Sequence, residues 1–252
     1  MVNFVGAGSG APDLITVRGM NLLKEADVII YAGSLVNPQL LDYAKKDCVI
    51  YNSAKMTLEE VLDVMKDAEN RGLMTVRLHT GDASIYGAIR EQMDELDRLG
   101  IGYKTCPGVS AAFGAAASLN LEFTLPDVSQ SLIITRMAGK TGVPEKESIE
   151  SFAAHRASMA IYLSTGMLRE LSDRLISGGY SADTPAALIY KASWPEEEAY
   201  VCTVDELSDT AKAHNITKTA LVLVGDVIAH ANYSKSRLYA ADFSTEFRKA
   251  KI

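Results

Sequence analysis

Short β-branched runs alternate with stretches of helical spacing along the whole chain, the signature of strands exchanging with helices. Met1 to Val5 reads as a strand that runs into Gly6-Ala7-Gly8-Ser9-Gly10-Ala11. Thr16 opens a helix carrying Val17, Met20, Leu22 and Leu23, and a second strand covers Val28 to Tyr31. After Asn37-Pro38 a short helix to Ala44 is expected, then a strand from Val49 to Tyr51. The next helix starts at Thr57 with Glu59 and Glu60 in its first turn, where the helix dipole favours negative charge. It buries Leu58, Val61, Leu62 and Met65 and closes at Arg71-Gly72.

Thr75 to Ala88 is the organising stretch of this half. An apolar run ends abruptly in Thr80-Gly81-Asp82, and helical spacing is read from Ile85 through Ile89, Met93 and Leu96. In open α/β sheets ligands sit beyond the carboxyl ends of strands, where glycine lets backbone approach closely. Asp82 or Ser84 could equally serve as a helix cap, so the stretch alone leaves binding and capping both open. A strand at Tyr103 to Cys106, the turn Pro107-Gly108-Val109-Ser110 and a helix from Ala111 to Ser118 follow. Together these predict a doubly wound α/β domain over 1–120 with a mostly parallel sheet. The amides of Ser110 and Ala111 would face the same crevice as Asp82.

The pattern loosens from Asn120 to Asp127, and a second series begins. Strands are expected at Ser131 to Thr135, Met159 to Leu163, Ala186 to Tyr190, Tyr200 to Thr203 and Ala220 to Val224. Helices fit at Lys146 to His155, Met167 to Gly178 and Val204 to His214. The connection Lys191-Ala192-Ser193-Trp194-Pro195-Glu196-Glu197 suits a hairpin-like loop, so 121–252 is read as a second α/β domain with a mixed sheet. Two such lobes make a cleft, and strand ends from both halves are placed in it: Thr80 to Ile85, Ser110-Ala111, Leu163-Ser164 and Lys191-Ala192. Residues after Ser234 form either a docked tail or a partly disordered one.

The first glycine run formally matches a dinucleotide fingerprint, but Pro12-Asp13-Leu14-Ile15 separates it from the helix start at Thr16. The second strand ends in Ala32-Gly33-Ser34, without the carboxylate that grips a nicotinamide ribose, which disfavours an NAD-dependent oxidoreductase. The long loop is then either a flexible crossover with Asp13 as a cap, or a mobile rim with Asp13 and Arg18 facing substrate.

Composition narrows the classes. With 252 residues, 48% of them hydrophobic and 23% charged, the chain has the make-up of a globular protein, without a disorder signature. A net charge of −7 argues against broad nucleic-acid binding yet permits a locally basic site for an anionic small molecule. Cys48, Cys106 and Cys202 lie far apart, which predicts neither a disulfide framework nor a zinc site and suits a reducing, cytoplasmic setting. His79, His155, His214 and His230 show no metal-binding spacing, so no protein-bound metal is expected. The opening strand predicts no signal peptide, and the apolar run at Ala111 to Ala117 is too short to span a bilayer.

Four motifs in order, Gly6-Ala7-Gly8-Ser9-Gly10-Ala11-Pro12-Asp13-Leu14-Ile15-Thr16, His79-Thr80-Gly81-Asp82, Pro107-Gly108-Val109-Ser110-Ala111 and Tyr190-Lys191-Ala192, resemble the tetrapyrrole methylase family across nearly the whole chain. Tyr31-Ala32-Gly33-Ser34-Leu35-Val36 and Lys191-Ala192-Ser193-Trp194-Pro195 resemble the branch that methylates a corrin-ring precursor at C11, with or without cobalt. The resemblance implies two α/β domains of that type with the active site in the cleft between them, S-adenosylmethionine as cofactor, an anionic tetrapyrrole as substrate and a homodimer. It places cofactor contacts on Pro12, Thr80, Gly81, Asp82, Ile85, Ser110, Ala111, Leu163 and Ala192. Asp13, Arg18, Ser34 and Lys191 are the substrate-side candidates, with Arg136 and Lys140 as further cations for a positive rim. No general base is singled out; His79 and Tyr86 stand nearest the central corner. The chain departs from the family at Ala83, where proline is common, and at Gly8-Ser9-Gly10, where Gly-Pro-Gly is common.

Overall fold

Side chains of a strand point alternately to its two faces, and the first strand shows what each face buries. In the computed structural model, which describes residues 1–250, β1 (Val2–Gly6) directs Val2 and Phe4 to one apolar cluster and Val5 to another. The chain divides into two compact units, Met1–Ala115 with Lys191–Glu198, and Ala116–Tyr190 with the residues from Ala199 onward.

In the first unit β1, β2 (Val28–Tyr31), β3 (Val49–Asn52), β4 (Thr75–His79) and β5 (Tyr103–Cys106) form one parallel sheet in the order β3-β2-β4-β1-β5. One face packs α1 (Val17–Glu25) through Leu23 against Val5, Ile29, Val76 and Leu78. The other packs α2 (Leu58–Asn70) and α3 (Ile89–Leu99), with Val61, Met65, Met93 and Leu96 against Phe4 and Ile30. Two caps follow the sequence signals: Thr16 accepts the Gly19 N–H at 3.0 Å, and Thr57 with Glu60 forms a reciprocal capping box.

The helix read from Ile85 starts four residues later, at Ile89. Residues 82–88 are instead a loop in which Tyr86 and Ala88 are left-handed, with φ of 56° and 49°. Ile85 falls in phase with Ile89 by spacing alone, and Gly87 lies flat on Ala83, where a Cβ would come within 2.2 Å of the carbonyl oxygen. The expected helix to Ala44 is a 3-10 segment, Pro38–Tyr43.

The second unit holds β6 (Leu132–Arg136), β7 (Ser158–Tyr162), β8 (Pro185–Tyr190), β9 (Glu198–Thr203) and β10 (Ala220–Val224), in the order β6-β7-β10-β8-β9. The sheet is mixed: β6 runs parallel to β7, while β10 is antiparallel to β7 and β8. Met159, Ile161, Leu188 and Val222 pack on α5 (Ile149–Ala153), α6 (Leu168–Gly178) and α7 (Leu207–Ala213). The helix expected from Lys146 is shorter, because Ser148 caps it at Ile149 and Glu145–Glu147 is a separate 3-10 turn.

Candidate functional site

Order reverses in the first sheet at β1 and β4, which lie side by side yet lead to opposite flanks. Such a switch point opens a crevice beyond the strand ends. Gly6 lies in register with His79, and Val5 with Cys106, so the loops after β1, β4 and β5 leave the sheet together. The first two are stitched to each other: the Ala7 N–H donates to the His79 carbonyl at 2.7 Å, and Gly8 and Gly81 exchange hydrogen bonds at 3.2 and 2.8 Å.

Backbone meets backbone at this junction. A Cβ on Gly6 would stand 2.6 Å from the Gly81 carbonyl oxygen and 2.7 Å from the Gly108 Cα, so side chains are excluded there. Asp82 ties the third loop in. Its Oδ2 accepts the Gly108 N–H at 2.8 Å, and its Oδ1 accepts the Ser84 N–H at 2.9 Å and the Ser84 hydroxyl at 2.5 Å. Partial burial resists ionisation, but the Ser84 hydroxyl and the Gly108 and Ser84 N–H groups outweigh it and hold the carboxyl below its usual range. A carboxylate has about four acceptor positions, so one remains for a ligand. Beside it Ser110 is buried and caps α4 (Ala111–Ser118), its carbonyl accepting the Phe113 and Gly114 N–H groups at 3.0 and 3.2 Å.

Lys191–Glu198 belongs to this same unit. Ser193 shares a hydroxyl hydrogen bond with Ser9 at 2.9 Å and accepts the Ala11 N–H at 3.1 Å. Trp194 covers Gly10, where a Cβ would come within 2.1 Å of the indole, and the buried Asn37 amide donates to the Gly10 carbonyl at 2.9 Å. Residues 6–10 are therefore a buried, clamped wall, and exposure begins only with Ala11, ahead of the exposed Asp13 and Arg18. Asn37, Ser193 and Trp194 carry the clamp; the sequence put them in turns, and Ser193 and Trp194 in a motif of the resemblance, without pairing them with Ser9 or Gly10.

Thr80, Gly81, Asp82, Ser110, Ala111 and Ala192 thus gather around Gly8–Ala11, with Pro12 directly following and Ile85 half-buried on the 82–88 loop. Thr80 Oγ1 is buried and lacks a hydrogen-bond partner among the described residues, a donor and acceptor left unused within the protein. Leu163 lies in the second unit after β7, 64% exposed and left-handed at φ 53°. Asp13, Arg18 and Ser34 are exposed in the first unit. Lys191 pairs with Glu196 at 3.5 Å and lies 5.6 Å from the Trp194 ring centroid. Arg136 donates to the carbonyls of Met137, Thr141 and Gly142, so it braces its own loop, while Lys140 is exposed.

His79 is no base. Burial, aided by the Arg77 charge, pushes it down to about 3, and its ring stacks on Phe4 with centroids 6.1 Å apart. Among the described residues no group of three or more His, Cys, Asp or Glu gathers as a metal site, and no helix is long and apolar enough to cross a membrane. A cavity of about 610 Å³ lies in the second unit, lined in part by Thr165, Arg169, Ser208, Lys212 and Asn215; it contains none of the candidate residues.

A protein of Methanocaldococcus jannaschii, cobalt-precorrin-4 C(11)-methyltransferase, is 51% identical over 249 residues, covering 99% of this chain and 96% of the relative. The precorrin-4 C(11)-methyltransferase of Pseudomonas aeruginosa is 44% identical, with 98% of each chain covered. The X-ray structure of a cobalt precorrin-4 methyltransferase superposes with a TM-score of 0.88 at 42% identity, over 90% of this chain and 95% of the other. The sequence model of the tetrapyrrole (corrin/porphyrin) methylases matches residues 1–208, and the chain belongs to that family.

Proposed function

We propose that this chain transfers a methyl group from S-adenosylmethionine to C11 of precorrin-4 or cobalt-precorrin-4, a step of corrin-ring assembly that yields the corresponding precorrin-5. On the donor side the carrying observation is the convergence of the β1, β4 and β5 ends, with the buried, unpartnered Thr80 hydroxyl beside them. The acceptor follows from relatives that align over nearly their whole length.

The residues present fit the donor. Pro12, Thr80, Gly81, Asp82, Ile85, Ser110, Ala111 and Ala192 would hold it. When bound, the donor would supply an electrophilic sulfonium methyl, to which the electron-rich ring carbon bonds in line as the methyl–sulfur bond breaks and S-adenosylhomocysteine leaves. The protein's task is to bring the partners together at near-attack distance, which is worth on the order of 7–11 kcal/mol. Thr80 Oγ1 and the remaining Asp82 acceptor position orient the donor, and the clamp on Gly10 keeps the opposite wall from yielding. No side-chain nucleophile is required, in keeping with a neutral, buried His79.

Asp13, Arg18, Ser34 and Lys191 are proposed to face the substrate, with Arg18 and Lys191 toward its carboxylates and Lys191 exchanging Glu196 for substrate. A homodimer, implied by the family resemblance, and a cytoplasmic setting complete the reading. Incubation with [methyl-13C]S-adenosylmethionine and precorrin-4, with and without cobalt, tests the proposal. The label appearing at C11 of one acceptor supports it and identifies the metal state; label at another carbon, or none, overturns it.

A further inference from the structure

Arg77 lies in the middle of β4 with 7% exposure, and burial pushes its guanidinium down to about 10 with no carboxylate opposing the effect. Its Nε–H donates to Gln92 Oε1 at 3.1 Å and one terminal nitrogen donates to the Ile30 carbonyl at 3.2 Å. Gln92, 4% exposed, donates in turn from Nε2 to the Ala88 carbonyl at 3.0 Å. A guanidinium only donates, so it fixes which end of the Gln92 amide faces it. The NH2 group is thereby forced toward Ala88.

Ala88 ends the loop that begins at Asp82. It is left-handed and offers no side-chain cap to α3, and Tyr86 two residues earlier is left-handed as well. Asp82 fastens the first end of the loop through Ser84 and Gly108. The Gln92 amide fastens the last end.

We propose that Arg77 and Gln92 are positioning residues for donor binding: the buried guanidinium orients the Gln92 amide, which holds the 82–88 loop in its binding conformation. The proposal rests on the reading that this loop contacts S-adenosylmethionine. Neither residue touches the donor; their effect passes through Ala88.

Gln92→Glu keeps an acceptor for Arg77 and removes the donor to Ala88. Arg77→Met with Gln92→Leu removes both polar groups together and leaves no buried charge, which keeps the test open if Gln92→Glu does not fold. In each, amide hydrogen exchange of 83–88 is expected to quicken, while the affinity for S-adenosylhomocysteine and the donor KM worsen at least fivefold. The tetrapyrrole KM and kcat at saturating donor stay within twofold, a split that general destabilisation would not give. Exchange and donor affinity unchanged in a folded variant, or both KM values and kcat worsening together, overturn the proposal. A native protein that binds no S-adenosylhomocysteine would instead sink the donor reading, with loop exchange still reporting on the network.

Discussion

Asp82 and Gly108, 26 residues apart in the chain, are joined by a charge-assisted hydrogen bond of 2.8 Å that locks the loop after β4 to the loop after β5. The same carboxylate also holds Ser84. Its role is therefore in the first instance to build the corner, with one acceptor position left for what the corner binds.

Asp82→Ala removes three acceptor contacts at once and leaves the Gly108 N–H without its partner. Affinity for S-adenosylhomocysteine should fall by about 1–3 kcal/mol, measured by calorimetry, with a lower melting temperature in the unliganded protein. Asp82→Asn should lie between the two. Unaltered affinity in a folded Asp82→Ala protein would contradict the assignment.

Thr80→Val separates stability from binding. The hydroxyl of Thr80 is buried without a partner, so replacing it by a methyl of similar shape should leave the unliganded protein as stable or more so. Donor affinity should nevertheless drop by about 1 kcal/mol, roughly fivefold. Affinity equal to that of the native protein would remove Thr80 from the site.

Gly10→Ala drives a methyl group into Trp194 and toward the Ala192 carbonyl oxygen, which lie 2.1 and 2.8 Å from the place the new Cβ would take. A cost of about 1–3 kcal/mol is expected from this overpacking. Trp194 is the only tryptophan, so its emission should shift and report the displaced clamp directly. An unchanged emission spectrum with native stability would show that the clamp is loose.

His79 sets an acid limit. Its folded pKa of about 3 lies below the ordinary value of 6.5, so the unfolded chain takes up a proton first as pH falls. The stability linked to neutral His79 is complete above about pH 6.5 and is lost progressively between there and about pH 3. By pH 5 the loss should be on the order of 1–2 kcal/mol in urea titrations. His79→Phe should flatten that dependence, and an equally steep one in the variant would place the proton elsewhere.

The alternation of apolar runs with helical spacing was enough to read two α/β series, and the caps at Thr16 and Thr57 were legible because each is a local hydrogen bond. Local signals also misled. Ile85 sits in helical phase with Ile89, but the left-handed Tyr86 and Ala88 that break the helix carry no residue-type signature. Thr80, Asp82 and Ser110 could be placed beyond the strand ends because each follows a strand in a turn motif. The folding of Lys191–Glu198 with the first unit could not, since the Ser9 to Ser193 hydrogen bond spans 184 residues. Gln92 left a trace: a polar residue on the otherwise apolar stripe of Ile89, Met93 and Leu96, opposite an arginine inside an apolar strand.

Amide hydrogen exchange of the native protein with and without S-adenosylhomocysteine tests the donor site most directly. Protection is predicted at 7–11, 80–88, 108–111 and 191–194, the segments gathered around the ends of β1, β4 and β5. Protection confined to the second-unit cavity around Thr165, Ser208 and Asn215, with those segments unaffected, would contradict it.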